Sequence, residues 1–234
     1  MQWFGQRSED KTIAELLGIT TEQQLTDYAG FYVDIGAWDP VVDSVTLAFS
    51  QHGWFGVNVE PVPVYLEALQ EARPRDINLQ VAISDKLAFA EISHFKGTGL
   101  STFRADYAVN HAQTYKQETL TTPTLTLERL FDLYVPKSVR NVDFLKIDVE
   151  GWEEQVLKGA NFTKQPWHIY RPKVICVEAT QPTTEIPAWE EWESLITEAA
   201  YAFRHFDGLN RYYTRYEDRC MTLFGTPEGA FIDA

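Results

Sequence analysis

Asp34, Glu60, Asp85, Asp148 and Glu178 share one feature: each closes, or nearly closes, a short apolar and β-branched run, with Glu150 two residues past Asp148. Carboxylates gathered along one rim repel one another and call for partners: a cation, hydroxyl groups or a metal ion. Singly, each reads as a strand-end cap or a surface charge; five at corresponding positions read as a ligand-binding edge. In a nucleoside-type site their roles divide by chemistry. Glu60, followed by Pro61, could accept hydrogen bonds from two ribose hydroxyls. Asp85, next to Ser84, could take an adenine amino group, and Asp34 could meet an ammonium group directly or through water. Gly36 lets a backbone come close to a ligand.

The elements that must position these groups follow from periodicity. Ile13, Leu16, Leu17 and Leu25 suggest an amphipathic helical start over 12–27. Phe31 to Ile35 reads as a buried strand meeting a turn at Gly36. Val42, Val45 and Phe49 stand at helical spacing up to Gly53, and Gly56 to Glu60 is a second strand closed by Pro61 and Pro63. Leu66, Leu69 and Ala72 mark a helix, and Leu79 to Ile83 a third strand. Residues 94–124 are polar and mixed, without a clear strand, and read as a lid or acceptor-binding insertion. Leu127, Leu130, Phe131 and Tyr134 return to helical spacing. Val142 to Ile147 is a fourth strand, Trp152, Val156 and Leu157 a short helix stopped by Gly159, and Lys173 to Val177 a fifth strand. Trp189, Trp192, Ile196 and Ala199 form a helix face, before two strand-like segments near 201–206 and 211–224. This alternation predicts a single α/β domain over 1–234, with a helical segment over 1–30. Its sheet is Rossmann-like, seven-stranded and mostly parallel, with helices on both faces. Right-handed crossovers put the strand C-termini on one edge, where ligands bind.

Composition narrows the partners. The 234 residues are 44% apolar, 14% aromatic and 23% charged, which suits a full core and not a disordered chain. A net charge of −14 argues against a nucleic-acid backbone or an anionic membrane as partner. No apolar run approaches the roughly 20 residues of a membrane span. The start MQWFGQRSEDK lacks a secretory pattern, so a cytoplasmic protein without membrane insertion is expected. Cys176 and Cys220 have neither metal-site nor disulfide spacing.

Two nucleoside cofactors suit an acidic rim. A dinucleotide requires G-x-G-x-x-G, so that its pyrophosphate sits on a helix N-terminus. Here the turn reads Gly36-Ala37-Trp38-Asp39-Pro40; the later glycines are missing and Asp39 would repel a pyrophosphate. S-adenosylmethionine carries a sulfonium cation and an amino-acid end, and no pyrophosphate, so the residues favour the methyl donor.

VDIGAWDPVVDS, VNVEPVP, GLSTF, TLTLERL, FLKIDVEGWEEQVLKGA, VICVEAT and FRHFDGLNRYY occur in that order over residues 31–214. Together they resemble the signatures of the FkbM family of S-adenosylmethionine-dependent methyltransferases, FLKIDVEG being the most specific. The resemblance implies a class I methyltransferase sheet. It also implies O-methylation of a sugar or another hydroxyl, in a branch found alone or joined to glycosyltransferases of polysaccharide and glycolipid loci. Donor contacts are then expected from Asp34, Gly36, Trp38, Glu60, Pro61, Ser84, Asp85, Ser101, Thr102 and Asp148. Asp39 could join them through the methionine amino group, or cap a helix beginning near Val41.

Methyl transfer is an in-line displacement, with the acceptor oxygen about 3 Å from the methyl carbon. A sugar hydroxyl is a weak acid, so a base takes its proton late or a divalent ion lowers its pKa. Asp148 and Glu178 end neighbouring strands and could hold magnesium or manganese, or Asp148 could act as base without metal. Lys146, on the same strand face as Asp148, reads as a neutraliser of nearby carboxylates. His111, in the insertion, is a possible base. Acceptor contacts are expected from Glu150 and Trp152, and from Asp207, Asn210 and Arg211 in the last hairpin. Arg204, Arg211, Arg215 and Arg219 are either surface ion pairs or a site for an acceptor phosphate or carboxylate. Four readings compete: a carbohydrate O-methyltransferase, one acting on a small natural product or lipid hydroxyl, a non-catalytic interaction module beside a glycosyltransferase and, last because the glycine fingerprint is missing, an NAD oxidoreductase.

Overall fold

The apolar runs pair into one sheet in the computed structural model, which describes residues 1–162 and 171–218. Seven strands take the order β3-β2-β1-β7-β8-β10-β9: β1 (Phe31–Ile35), β2 (Phe55–Val59), β3 (Ile77–Leu79), β7 (Phe144–Ile147), β8 (Val174–Glu178), β9 (Tyr201–Phe206) and β10 (Asn210–Arg215). All neighbours run parallel except at β10, which is antiparallel to both β8 and β9. The expected fold class, a Rossmann-like, mostly parallel seven-stranded sheet, is the one observed. The chain leaves β1 outward to β2 and β3, then returns on the other side of β1 as β7. The crevice above the C-termini of β1 and β7 is thus the switch point.

Both faces are covered, as strands buried on each side require. Phe31, Val33 and Ile35 of β1 point into a core shared with α6 (Leu127–Tyr134), α7 (Glu153–Lys158) and α8 (Glu193–Thr197). Tyr32 points the other way, into a core with α1 (Glu9–Leu16), α2 (Glu22–Tyr28) and α3 (Leu47–Gln51). Local chemistry sets several ends. Thr21 and Gln24 form a capping box at α2, Pro63 opens α4 (Pro63–Ala72), and Thr126 caps α6 through Arg129 N–H.

Four expectations change. The helical start over 12–27 is two helices, α1 and α2, parted by a turn at Leu17–Thr21. The helix expected from Val42 begins only at Leu47, because Asp39 and a positive φ at Asp43 hold 39–46 in turns. The third strand divides: β3 ends at Leu79, and Ala82–Ile83 (β4) joins a second sheet of order β4-β6-β5. That sheet orders much of the insertion, for β5 (Ala88–Phe95) and β6 (Gln117–Leu125) form an antiparallel pair, with α5 (Ala105–His111) between them. β6 is rich in Thr, and β5 and β6 both begin open to solvent, so no continuous apolar run announces them. β10 ends at Arg215; residues 219–224 of the predicted strand, with Arg219 and Cys220, lie outside the described residues. Among the described residues no helix is long and apolar enough to cross a membrane.

Candidate active site

Above the switch point lies a cleft of about 220 Å³. Its floor is the turn after β1. Gly36 there has φ +81°, and a Cβ on it would lie 1.9 Å from the carbonyl oxygen of Asp148. The close approach that demands glycine is therefore to the β7 turn. Gly36 and Ala37 N–H both donate to Val59 O, and Asp148 N–H donates to Ile35 O, so the ends of β1, β2 and β7 are laced together.

Lys146 holds the charge balance at this floor. Its Nζ donates to Gly36 O at 2.9 Å, and lies 3.3 Å from Asp148 Oδ2 and 3.6 Å from Asp34 Oδ1. Burial opposes the ammonium charge, but Asp148 and Asp34 raise its pKa overall. The ammonium that Asp34 meets is thus the protein's own. Asp34 is buried and does not line the cleft; burial pushes its carboxyl up to about 6.

Glu60 does line the cleft. Its Oε2 accepts from Trp38 N–H at 3.0 Å and its Oε1 from Val62 N–H at 2.8 Å, and burial raises its pKa to about 7. The carboxylate ties the β1 turn to the β2 turn, and each oxygen keeps a second lone pair. Trp38, Pro61, Ser101, Asp148 and Glu150 also line the cleft. Ala82, Ile83 and Ile92 add apolar surface suited to a base. Two buried polar atoms of these lining residues make no hydrogen bond: Trp38 Nε1 and Glu150 Oε2. An aromatic wall, apolar surface, a carboxylate at the tip of β2 and unspent donors and acceptors fit a nucleoside-bearing methyl donor.

Other expected residues are spent elsewhere. Asp39 Oδ1 accepts from Val41 and Val42 N–H, both at 2.8 Å, which is the capping alternative although no helix starts there. Ser84 accepts from Trp152 Nε1 and donates to Asp85, which is exposed; none of the three lines the cleft. Thr102 is buried and donates to Glu150 O at 2.8 Å, so it positions Glu150 rather than facing the cleft. His111 is buried edge-on against Phe95, outside the cleft lining, and burial lowers its pKa.

The last hairpin is also committed internally. Asp207 accepts from Leu209 and Asn210 N–H and from Tyr212 OH. Asn210 Nδ2 donates to Glu9 Oε1, and Arg211 pairs with Glu193 at 2.6 Å with its guanidinium 4.0 Å from the Phe203 ring centroid. Arg204 bonds Thr214 and Arg215 pairs with Asp218, so these arginines are ion-paired and hydrogen-bonded scaffold, not an open anion site.

Glu178 ends β8 as expected but is buried outside the cleft lining. Burial, with Asp148, Glu150 and Glu153 nearby, pushes its pKa well above the usual range. A carboxyl that resists ionisation is a poor ligand for a hard cation. Among the described residues no three His, Cys, Asp or Glu side chains are grouped to hold a metal. Asp148 and Glu178 therefore do not fit the expected magnesium or manganese pair. Glu150, with φ +53°, is likewise pushed well above the carboxylate range by burial and its acidic neighbours, and Glu153 is raised to about 7.

Gln6, Glu9, Asp43 and Phe103 line the cleft without having been expected there. Gln6 and Glu9 come from the N-terminal segment, and no local pattern marks them; only the packing of α1 against β8 and β10 brings them over the sheet edge.

The model of the FkbM methyltransferase domain matches residues 34–203. Among solved structures, the chain is similar to a TehB-like SAM-dependent methyltransferase from Corynebacterium glutamicum, at 9% identity and a TM-score of 0.41, over 89% of this chain and 95% of that one. A comparison with curated proteins gives no match.

Proposed function

The chain belongs to the FkbM methyltransferase family, which implies S-adenosylmethionine as methyl donor, and from that premise we propose an O-methyltransferase acting on a carbohydrate hydroxyl. The observation that carries the hydroxyl acceptor is Glu150: a cleft-lining carboxyl whose buried Oε2 has no hydrogen-bond partner. Its raised pKa lets it offer a proton as well as a lone pair, which matches a hydroxyl on either side of the bond. Phe103, beside it in the cleft and packed on Trp152 at 5.4 Å, is an apolar face of the kind sugar rings pack against.

The donor, when bound, supplies an electrophilic methyl group on sulfur. The protein's part is positioning and proton management. Asp148, about a third exposed and anchored by Lys146, would accept the proton of the acceptor hydroxyl as the oxygen–carbon bond forms and the donor's sulfur–carbon bond breaks, and would return it to solvent. Glu60 would take ribose hydroxyls on its free lone pairs, and Trp38 would border the nucleoside. A glycosyltransferase that builds the acceptor chain is the partner this chemistry suggests, in the cytoplasm, where both sugar donors and the methyl donor are made.

The first test is calorimetric titration with S-adenosylhomocysteine, with and without EDTA or magnesium, followed by methyl-transfer assays across hydroxyl-bearing sugars. Micromolar binding that ignores EDTA, and turnover abolished by Asp148→Asn with binding kept, are expected. Full turnover in Asp148→Asn removes Asp148 from proton transfer. No donor binding at all favours an interaction module, and turnover on a lipid or small natural product but on no sugar corrects the acceptor class.

A further inference from the structure

The family match begins at Asp34, yet the cleft has a wall from residues before it. The segment leading into α1 crosses the cleft edge and is fastened in three ways. Gly5 makes a bridge to Asp43, Asp10 Oδ2 accepts from Phe4 N–H at 2.7 Å, and Glu9 accepts from Arg7 N–H at 2.8 Å and from Asn210 Nδ2 at 3.0 Å. Glu9 is 5% exposed and lines the cleft. Gln6 is exposed and reaches the same wall.

The strand order arranges the cleft lining. Ala82 and Ile83 follow β3, Glu60 and Trp38 follow β2 and β1, and Glu9 is bonded to Asn210 of β10, with Gln6 next to the Gly5–Asp43 bridge. Lys146 is already neutralised by Asp34 and Asp148. Asp43 and Glu9, whose pKa burial raises, are therefore acidic groups with no cation assigned to them there, beside an amide that offers both a donor and an acceptor. A ligand with a base, a ribose and a zwitterionic tail matches this arrangement in order.

We propose that Gln6 and Glu9, with Asp43, form the subsite for the α-amino-acid tail of the methyl donor, so that a strap outside the family domain completes the donor site. Glu9 and Asp43 face the tail's ammonium group, and the Gln6 amide donates to its carboxylate. The proposal rests on the donor reading above and adds to it the residues that read the tail.

The test compares two nucleosides on the full chain by calorimetry: S-adenosylhomocysteine, and 5′-methylthioadenosine, which lacks the tail. The variants are Gln6→Ala, Asp43→Asn and Glu9→Gln. Glu9 also holds Asn210, so the two exposed positions keep the test valid if Glu9→Gln fails to fold. Each variant is expected to weaken S-adenosylhomocysteine about five- to tenfold and to leave methylthioadenosine within twofold. Equal weakening of both nucleosides overturns the proposal, because the strap is then a structural wall only. Unchanged binding of both overturns it as well. If the unmodified chain binds neither nucleoside, the donor reading itself fails and this subsite with it.

Discussion

Lys146 and Asp34 face each other across neighbouring strands, paired Cα to Cα in the β1–β7 register, with Nζ 3.6 Å from Oδ1 at the cleft floor. Both side chains are nearly inaccessible, so neither charge has water to fall back on. Removing one partner from such a pair costs about 3–5 kcal/mol, while removing both can cost little. Lys146→Met is expected to lower the urea midpoint by that order and to release the Gly36 turn. Lys146→Met with Asp34→Asn is expected to recover much of the loss in the same unfolding experiment. A single variant as stable as the parent shows that the pair contributes nothing.

Gly36 and Gly53 both have positive φ, at +81° and +90°, but differ in surroundings. At Gly53 a Cβ meets nothing within 4 Å; at Gly36 it meets Asp148 O at 1.9 Å. Gly53→Ala is expected to cost only left-handed backbone strain, about 1 kcal/mol. Gly36→Ala carries the same strain and must also push β1 and β7 apart, so its melting temperature should fall further and donor affinity at least tenfold. Similar effects at both positions assign the whole cost to strain.

Stability should fall as pH rises through the neutral range. Asp34 is raised to about 6, Glu60 and Glu153 to about 7, and Glu150 and Glu178 well above the ordinary carboxylate range, in each case first by burial. Unfolded, these groups titrate near pH 4. The folded state thus holds more protons between about pH 4 and 7, and stability decreases with pH across that window. Urea midpoints should be higher at pH 5.5 than at 7.5, and Glu178→Gln should flatten the difference. A midpoint that rises with pH contradicts the protonated carboxyls.

The parts of the site carried on buried strands could be read directly. β1, β2, β7 and β8 announce themselves as apolar runs, and the turns after β1, β2 and β7 bring Gly36, Glu60 and Asp148 to one edge. What depends on tertiary packing could not be read. Asp34 looks free to bind a ligand until Lys146, far along the chain, proves to be its neighbour. Glu178 sits at a strand end like Asp148, yet the layer above it buries it away from the cleft. Gln6 and Glu9 precede every motif, and nothing local says that α1 will lie against β8 and β10. β5 and β6 escaped notice because the first is broken by Glu91 and half open to solvent and the second is Thr-rich, so neither is a continuous apolar run.

The last hairpin makes the same point in a testable form. In sequence, Asp207, Asn210 and Arg211 are a polar group suited to an acceptor. In the fold, Asp207 organises its own turn, and Arg211 is sandwiched between Trp189 and Phe203 while bonded to Glu193 and Tyr213. Its side chain is 12% exposed, so truncation leaves the Glu193 carboxylate with only the Tyr213 hydroxyl and two rings unsupported. Arg211→Ala is expected to cost about 2 kcal/mol of stability, the order of a hydrogen bond to a charged group. The acceptor KM should stay within twofold of the parent at a temperature where the variant is folded. If instead KM rises tenfold and the unfolding midpoint does not move, Arg211 contacts the acceptor and the hairpin is part of the binding surface.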